Sequence, residues 1–135
     1  MESKRFKIQE LVPLYIYKKY GNSAWRFIDK DVIVTLDKLK EVFPKGTITI
    51  NDWLWSGEFN WSGFRTPKSP HYSETSMHSL GKAMDCKFTA YTSEEVREYI
   101  IANPDVFPLI KGIELEVSWF HFDCRNTKEL HTFKG

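Results

Sequence analysis

The sequence predicts an α+β domain in which a small antiparallel sheet packs against helices. Three observations carry that expectation: an early run with apolar residues at helical spacing, later stretches that alternate or are rich in β-branched residues, and a well-capped helix between those stretches. At 135 residues, with no internal repeat, low-complexity tract or linker, the chain suits one domain over 1–135 with a core of its own.

In order along the chain, Lys4 to Tyr20 has mixed apolar spacing around Leu11, Leu14 and Ile16, which predicts a short helix or two pieces parted at Pro13. From Ser23 to Phe43, Val32, Leu36, Leu39 and Phe43 recur at steps of three and four, so they share one helical face, and Gly46 ends the element. Thr47-Ile48-Thr49-Ile50 alternates polar with apolar as a half-buried strand does. Asn51 to Ser76 is rich in Gly, Ser, Pro and aromatics, the composition of an ordered loop. Ala83 to Phe88 reads as a strand, Thr92-Ser93-Glu94-Glu95 as a capping box opening a helix to about Ile101, and Asn103-Pro104 as its stop. Ile113 to Cys124 is rich in β-branched and aromatic residues and predicts one or two strands.

Composition excludes several functions. The formal charge of +1 gives no field to gather phosphates, and the basic residues are mixed with acids, so nucleic acid is not an expected partner. No apolar run approaches the roughly 20 residues of a bilayer span, and the charged start with Pro13 reads as neither signal peptide nor anchor. Cys86 and Cys124 are too few for a disulfide framework and read as buried thiols, with a single bridge between adjacent strands as the alternative. Aromatics make up 16% of the chain, and Trp53, Trp55, Phe59, Trp61 and Phe64 either cover the core or line a cleft.

The chemistry lies in Ser76-Met77-His78-Ser79-Leu80-Gly81-Lys82-Ala83-Met84-Asp85, where a turn at Gly81 can fold an imidazole and a carboxylate together. About 35 residues on, Ser118-Trp119-Phe120-His121-Phe122-Asp123 adds a second imidazole on a predicted strand. Two histidines and one carboxylate make the three-ligand set of a catalytic zinc site with an open fourth position. Zinc there lowers the pKa of water to about 7 and polarises a carbonyl. Taken singly, a histidine in a strand is more often a hydrogen-bonded structural residue.

The combination SxHxxGxAxD followed by WxHxD resembles the zinc peptidases that include D-alanyl-D-alanine carboxypeptidases, D-Ala-D-Ala dipeptidases and phage L-alanyl-D-glutamate endopeptidases. The likeness runs over roughly Ser62 to Arg125, about half the chain. It implies a hedgehog-like fold with Zn2+ on the sheet, held by His78, Asp85 and His121, with Ser76 and Gly81 framing the motif and Ser76 near the substrate. Ser62-Gly63-Phe64-Arg65 resembles the family's SGxR stretch, whose arginine stabilises a substrate carbonyl or carboxylate; Arg65 takes that role or is a surface arginine. Several members carry a glutamate three residues before the last ligand, where this chain has Ser118, and others a histidine two before it, where this chain has Trp119. A serine hydroxyl cannot take the proton. Glu116 is the first choice for the base, swung inward by a turn near Ser118, as the related hedgehog-like domain places its glutamate further upstream. Asp123 and Glu114 are the others, and Asp123 can instead orient His121 from the same strand face.

The resemblance implies a monomeric peptidase acting on peptidoglycan stem peptides, made in the cytoplasm and reaching the wall after release, as phage lysins do, or carried in a virion. Two competing readings are a non-catalytic metal-binding or structural module of the same fold, and a plain α+β domain whose histidines only make hydrogen bonds.

Overall fold

Pro13 splits the N-terminal segment into a 3-10 turn, Ile8–Glu10, and helix α1, Leu14–Tyr20. The computed structural model describes residues 1–135. Helix α2 spans Lys30–Val42, shorter than the periodicity suggested, because Gly21–Phe27 winds as a 3-10 turn and Ile28 is extended. Asp29 then caps α2 by accepting from the Asp31 N–H at 2.8 Å, which requires a non-helical backbone at that position. The face read from the sequence is the buried one: Val32, Leu36 and Leu39 are closed to solvent and Phe43 nearly so.

The remaining elements are β1 (Ile48–Thr49), β2 (Ala83–Phe88), α3 (Ser93–Ala102), β3 (Gly112–Leu115), β4 (Phe120–Asp123) and β5 (His131–Lys134). Thr92 and Glu95 form the capping box of α3, each side chain accepting the other's backbone N–H, at 3.0 and 3.1 Å. The strands form one sheet in the order β1-β2-β4-β3-β5.

That sheet is mixed, which corrects the expectation of an antiparallel one. The first three pairings are antiparallel, but β5 runs parallel to β3. The chain reverses after β4, passes over β3 and takes its free edge, so β5 must run in β3's direction. The β5 strand is itself absent from the sequence reading.

Strand alternation divides the sheet into two chemically distinct faces. Met84, Cys86, Ile113, Phe120 and Phe122 are all below 1% exposed and join the helices in a cluster of 25 buried residues. The intervening positions, among them Asp85, Lys87, Glu114, His121, Asp123 and Phe133, face a cleft on the other side.

Both cysteines are buried free thiols. A bridge is ruled out by register: Cys86 pairs with Phe120, whereas the Cys124 N–H bonds to the Lys82 carbonyl, four residues away along β2. Four strand residues span about 13 Å, well past disulfide reach.

Candidate metal centre

The loop from Asn51 to Lys82 roofs the polar face of the sheet and is tied to it by specific bonds. Asn51 is buried, donating from Nδ2 to the Val12 carbonyl at 3.0 Å and accepting the Ser62 N–H at 2.9 Å. The Asp85 N–H, on the side of β2 away from β4, donates to the Ser62 carbonyl at 2.8 Å. Gly63 packs on the Leu11 backbone so closely that a β-carbon would lie 2.2 Å from the Leu11 oxygen. At Gly81, φ is +70° and a β-carbon would stand 1.8 Å from the Phe27 oxygen, so the turn that carries His78 back to β2 requires glycine twice over.

Within that turn the Ser76 hydroxyl accepts the His78 N–H at 3.2 Å, and the Arg65 N–H donates to the His78 carbonyl at 3.2 Å. His78 is 3% exposed. Its Nδ1 lies 2.9 Å from the Gly63 carbonyl, an acceptor only, so Nδ1 carries a proton and Nε2 is the ring nitrogen turned to Asp85. Nε2 lies 3.2 Å from Asp85 Oδ1, and His121 presents Nδ1 to the same oxygen at 2.9 Å. β2 and β4 place Asp85 and His121 directly opposite each other, which explains their meeting.

One ligand atom from each of His78, Asp85 and His121 lies within 4.8 Å of the others, in a buried triad that can hold a metal ion. Tetrahedral zinc with bonds of about 2.0–2.1 Å sets its ligand atoms roughly 3.4 Å apart, near the 3.2 and 2.9 Å that part Asp85 Oδ1 from the two imidazole nitrogens. The imidazole edge and carboxylate chemistry suits zinc as well.

The surroundings hold this triad in a defined charge state. Burial pushes the Asp85 carboxyl up, but bonds from His121 and His78 outweigh it and hold the group far below the usual carboxylate range. Burial works against a charged His121, yet Asp123 and Asp85 raise its pKa to about 9. Asp123, completely buried, places Oδ2 2.9 Å from His121 Nε2 and receives Arg125 Nε and Nη2 at 2.7 Å each. Against the cost of burial, Arg125 and His121 bring its pKa down to about 2. With both oxygens engaged, Asp123 orients the His121 ring and is not placed to take a proton from substrate or water.

The cleft above the triad measures about 730 Å³ and is lined by Phe59, Trp61, Arg65, Ser76, Lys87 and Trp119 as well as the triad, Glu114 and Asp123. Among the loop aromatics, Phe59 and Trp61 line it, Phe64 stacks on Phe27 at 5.1 Å, and Trp55 is exposed. Arg65 lines the cleft and donates from Nη2 to Asp85 Oδ2 at 3.1 Å and from Nε to the Trp61 carbonyl at 2.7 Å, which leaves Nη1 without a partner. Arg65 is therefore part of the site and not a surface arginine.

The first choice for the base falls elsewhere. The expected turn exists, with Glu116 at φ +60°, but it carries that carboxylate outward to a 3.4 Å ion pair with Lys134 in which both side chains are 68% exposed. Glu116 does not line the cleft, and Ser118 is exposed. Glu114 does line the cleft. Continuing the β3–β4 register by one pair, from Ile113↔Phe122, sets it opposite His121. It is half-buried and has no hydrogen-bond or ion-pair partner.

Sequence reasoning passed over two contributors. Arg97, 4% exposed on α3, donates to the Val117 and Trp119 carbonyls at 2.9 and 2.7 Å and so fixes the turn ahead of β4. Lys87 lies two residues beyond Asp85 on the same strand face, a position that strand alternation alone would have marked. Comparison with protein-family models, curated proteins and solved structures returned no match.

Proposed function

We propose that the chain is a zinc-dependent peptidase of the D-alanyl-D-alanine carboxypeptidase and phage endolysin type, acting on stem peptides of the bacterial wall. The observation that carries this reading is the convergence of His78, Asp85 and His121, from a loop and two strands, on one point at the floor of a cleft. The motif resemblance in the sequence supplies the substrate class and the hedgehog-like fold, and the polar sheet face under a roofing loop accords with both. In this reading the enzyme is made in the cytoplasm and meets the wall after release, or travels in a virion.

Each residue then has a task. His78 Nε2, Asp85 Oδ1 and His121 Nδ1 would hold the ion, and zinc so held supplies Lewis acidity toward a peptide carbonyl and a more acidic water. Asp123 would orient His121 by accepting from Nε2–H, so that Nδ1 is the nitrogen given to the ion once its proton has left. Arg65 directs Nη1 at the carbonyl oxygen as negative charge develops there, and remains charged throughout. Glu114, beside His121, takes the proton of the attacking water and returns it to the leaving amine. Phe59 and Trp61 limit water around the reacting bond.

The test is turnover. Purified protein with one equivalent of zinc should release soluble peptides or D-alanine from cell walls, and EDTA should stop it. One observation favours a second reading: Ser118 stands where several relatives carry glutamate, as in a metal-binding module without catalysis. Zinc uptake without any release would select that module.

A further inference from the structure

We infer that Phe133, on β5, is a positioning residue for the metal centre: its ring packs against His121 and Arg125 and holds the last ligand in a fixed attitude. This rests on the reading of His78, Asp85 and His121 as metal ligands, and it gives a role to a strand that supplies no ligand.

The apolar surface of Phe133 is buried in the site and not in the core. His131, Thr132 and Lys134 are exposed, and Phe133 alone of β5 is half-buried. It neither belongs to the 25-residue core cluster nor packs against it. It lines the cleft on the polar face of the sheet, beside charged groups that a benzene ring does not ordinarily seek.

Register brings it there. Phe133 pairs with Glu114, and the β3–β4 register sets Glu114 opposite His121, so these three share one row with Asp85. Backbones two strands apart are separated by about 9.6 Å. The Phe133 and His121 ring centroids are only 5.5 Å apart, with planes at 83°, so the two side chains lean together above β3 in an edge-on contact.

That contact supplies a restraint which the hydrogen bonds leave out. His121 is tied at Nδ1 to Asp85 and at Nε2 to Asp123, each at 2.9 Å. Bonds at both nitrogens fix a line through the imidazole but let it tilt about that line. A second ring standing nearly perpendicular opposes the tilt. Phe133 also lies 4.8 Å from the guanidinium carbon of Arg125, within reach of a cation–ring attraction. Arg125 in turn gives Asp123 two bonds at 2.7 Å. The four side chains close a circuit, from His121 to Asp123 to Arg125 to Phe133 and back. Phe133 therefore restrains the imidazole both directly and by way of the carboxylate.

The experiment measures zinc affinity of the full chain by chelator competition and, in the metal-free chain, the exchange rate of the His121 Nε2–H proton by NMR. Wall-peptide turnover is followed in parallel. Phe133→Ala should weaken zinc about tenfold and speed the proton's exchange with water by a similar factor. Phe133→Tyr keeps the ring and should stay within about twofold of wild type, whereas Phe133→Leu keeps only the bulk and should lose about threefold. In an Asp123→Asn background, Phe133→Ala should cost less than about threefold, because both changes act on one imidazole. Unchanged zinc affinity in Phe133→Ala, full affinity in Phe133→Leu, or an undiminished loss in the Asp123→Asn background overturns the inference. Proton exchange that ignores every change at Phe133 overturns it whether or not zinc binds. If Phe133→Ala does not fold by circular dichroism, the contrast between Phe133→Leu and Phe133→Tyr decides. Zinc binding that depends on Phe133, without turnover, upholds the inference and removes the peptidase reading. Exchange that depends on Phe133 in a wild type that takes no zinc upholds the positioning of His121 and removes the metal.

Discussion

The α-carbon of Gly112 faces the carboxylate of Asp123 so closely that a β-carbon would lie 2.2 Å from Oδ1. Asp123 in turn holds His121. Gly112→Ala should therefore displace the carboxylate and weaken zinc binding from outside the ligand set, at about 1–3 kcal/mol of overpacking cost. Asp123→Asn should lower zinc affinity by roughly 10–100-fold. Chelator competition reads both; unchanged affinity in the two variants would show that His121 needs no orienting partner.

His78 enters the triad from the loop, with its only other side-chain bond to the Gly63 carbonyl. His78→Ala should reduce bound zinc from one equivalent to none in metal analysis, and should abolish wall hydrolysis. Retention of both would refute the ligand assignment.

Glu114 and Glu116 stand two residues apart on opposite sides of a turn. Glu114→Gln should lower kcat by about 10²–10⁴-fold while leaving zinc content intact, the usual span for removing a general base. Glu116→Gln, which loses only an exposed pairing with Lys134, should stay within about twofold of wild type. The reverse pattern in steady-state kinetics would move the base to Glu116.

Asp29 caps α2 and receives the Lys82 ammonium at 2.8 Å. Burial raises its pKa, but the Lys82 bond, the Asp31 N–H and nearby lysines outweigh it, so the carboxyl is held below its usual value. A depressed folded-state pKa stabilises above the unfolded pKa and loses that contribution as pH falls through the folded value. Asp29→Asn keeps the cap and removes the charge, so it should be less stable by about 0.5–1 kcal/mol at neutral pH. The gap in melting temperature should close as pH falls below about 4. A gap independent of pH would assign the effect to packing.

Much of this was legible in the residues. Val32, Leu36, Leu39 and Phe43 announced the buried face of α2, and Thr92 with Glu95 announced the start of α3, because both signals are local. His78, Asp85 and His121 were legible as a set only through the likeness of SxHxxGxAxD and WxHxD to the motifs of a zinc peptidase family. What escaped was non-local. β5 exists because the chain crosses β3 to reach a free edge, and nothing within His131–Lys134 specifies that partner. Glu116 was preferred over Glu114 because a turn was foreseen but not its direction; a non-glycine residue at φ +60° sent the side chain outward.

The division of the sheet into an oily side and a reactive side has a practical outcome. Unlike small domains that collapse when stripped of their ion, this chain should stay folded after chelation, since the 25-residue cluster beneath owes nothing to the triad. Circular dichroism should be unaltered by metal removal, and replenishment should restore full occupancy without refolding. If the triad takes zinc as proposed, the scaffold would wait empty and acquire its ion last.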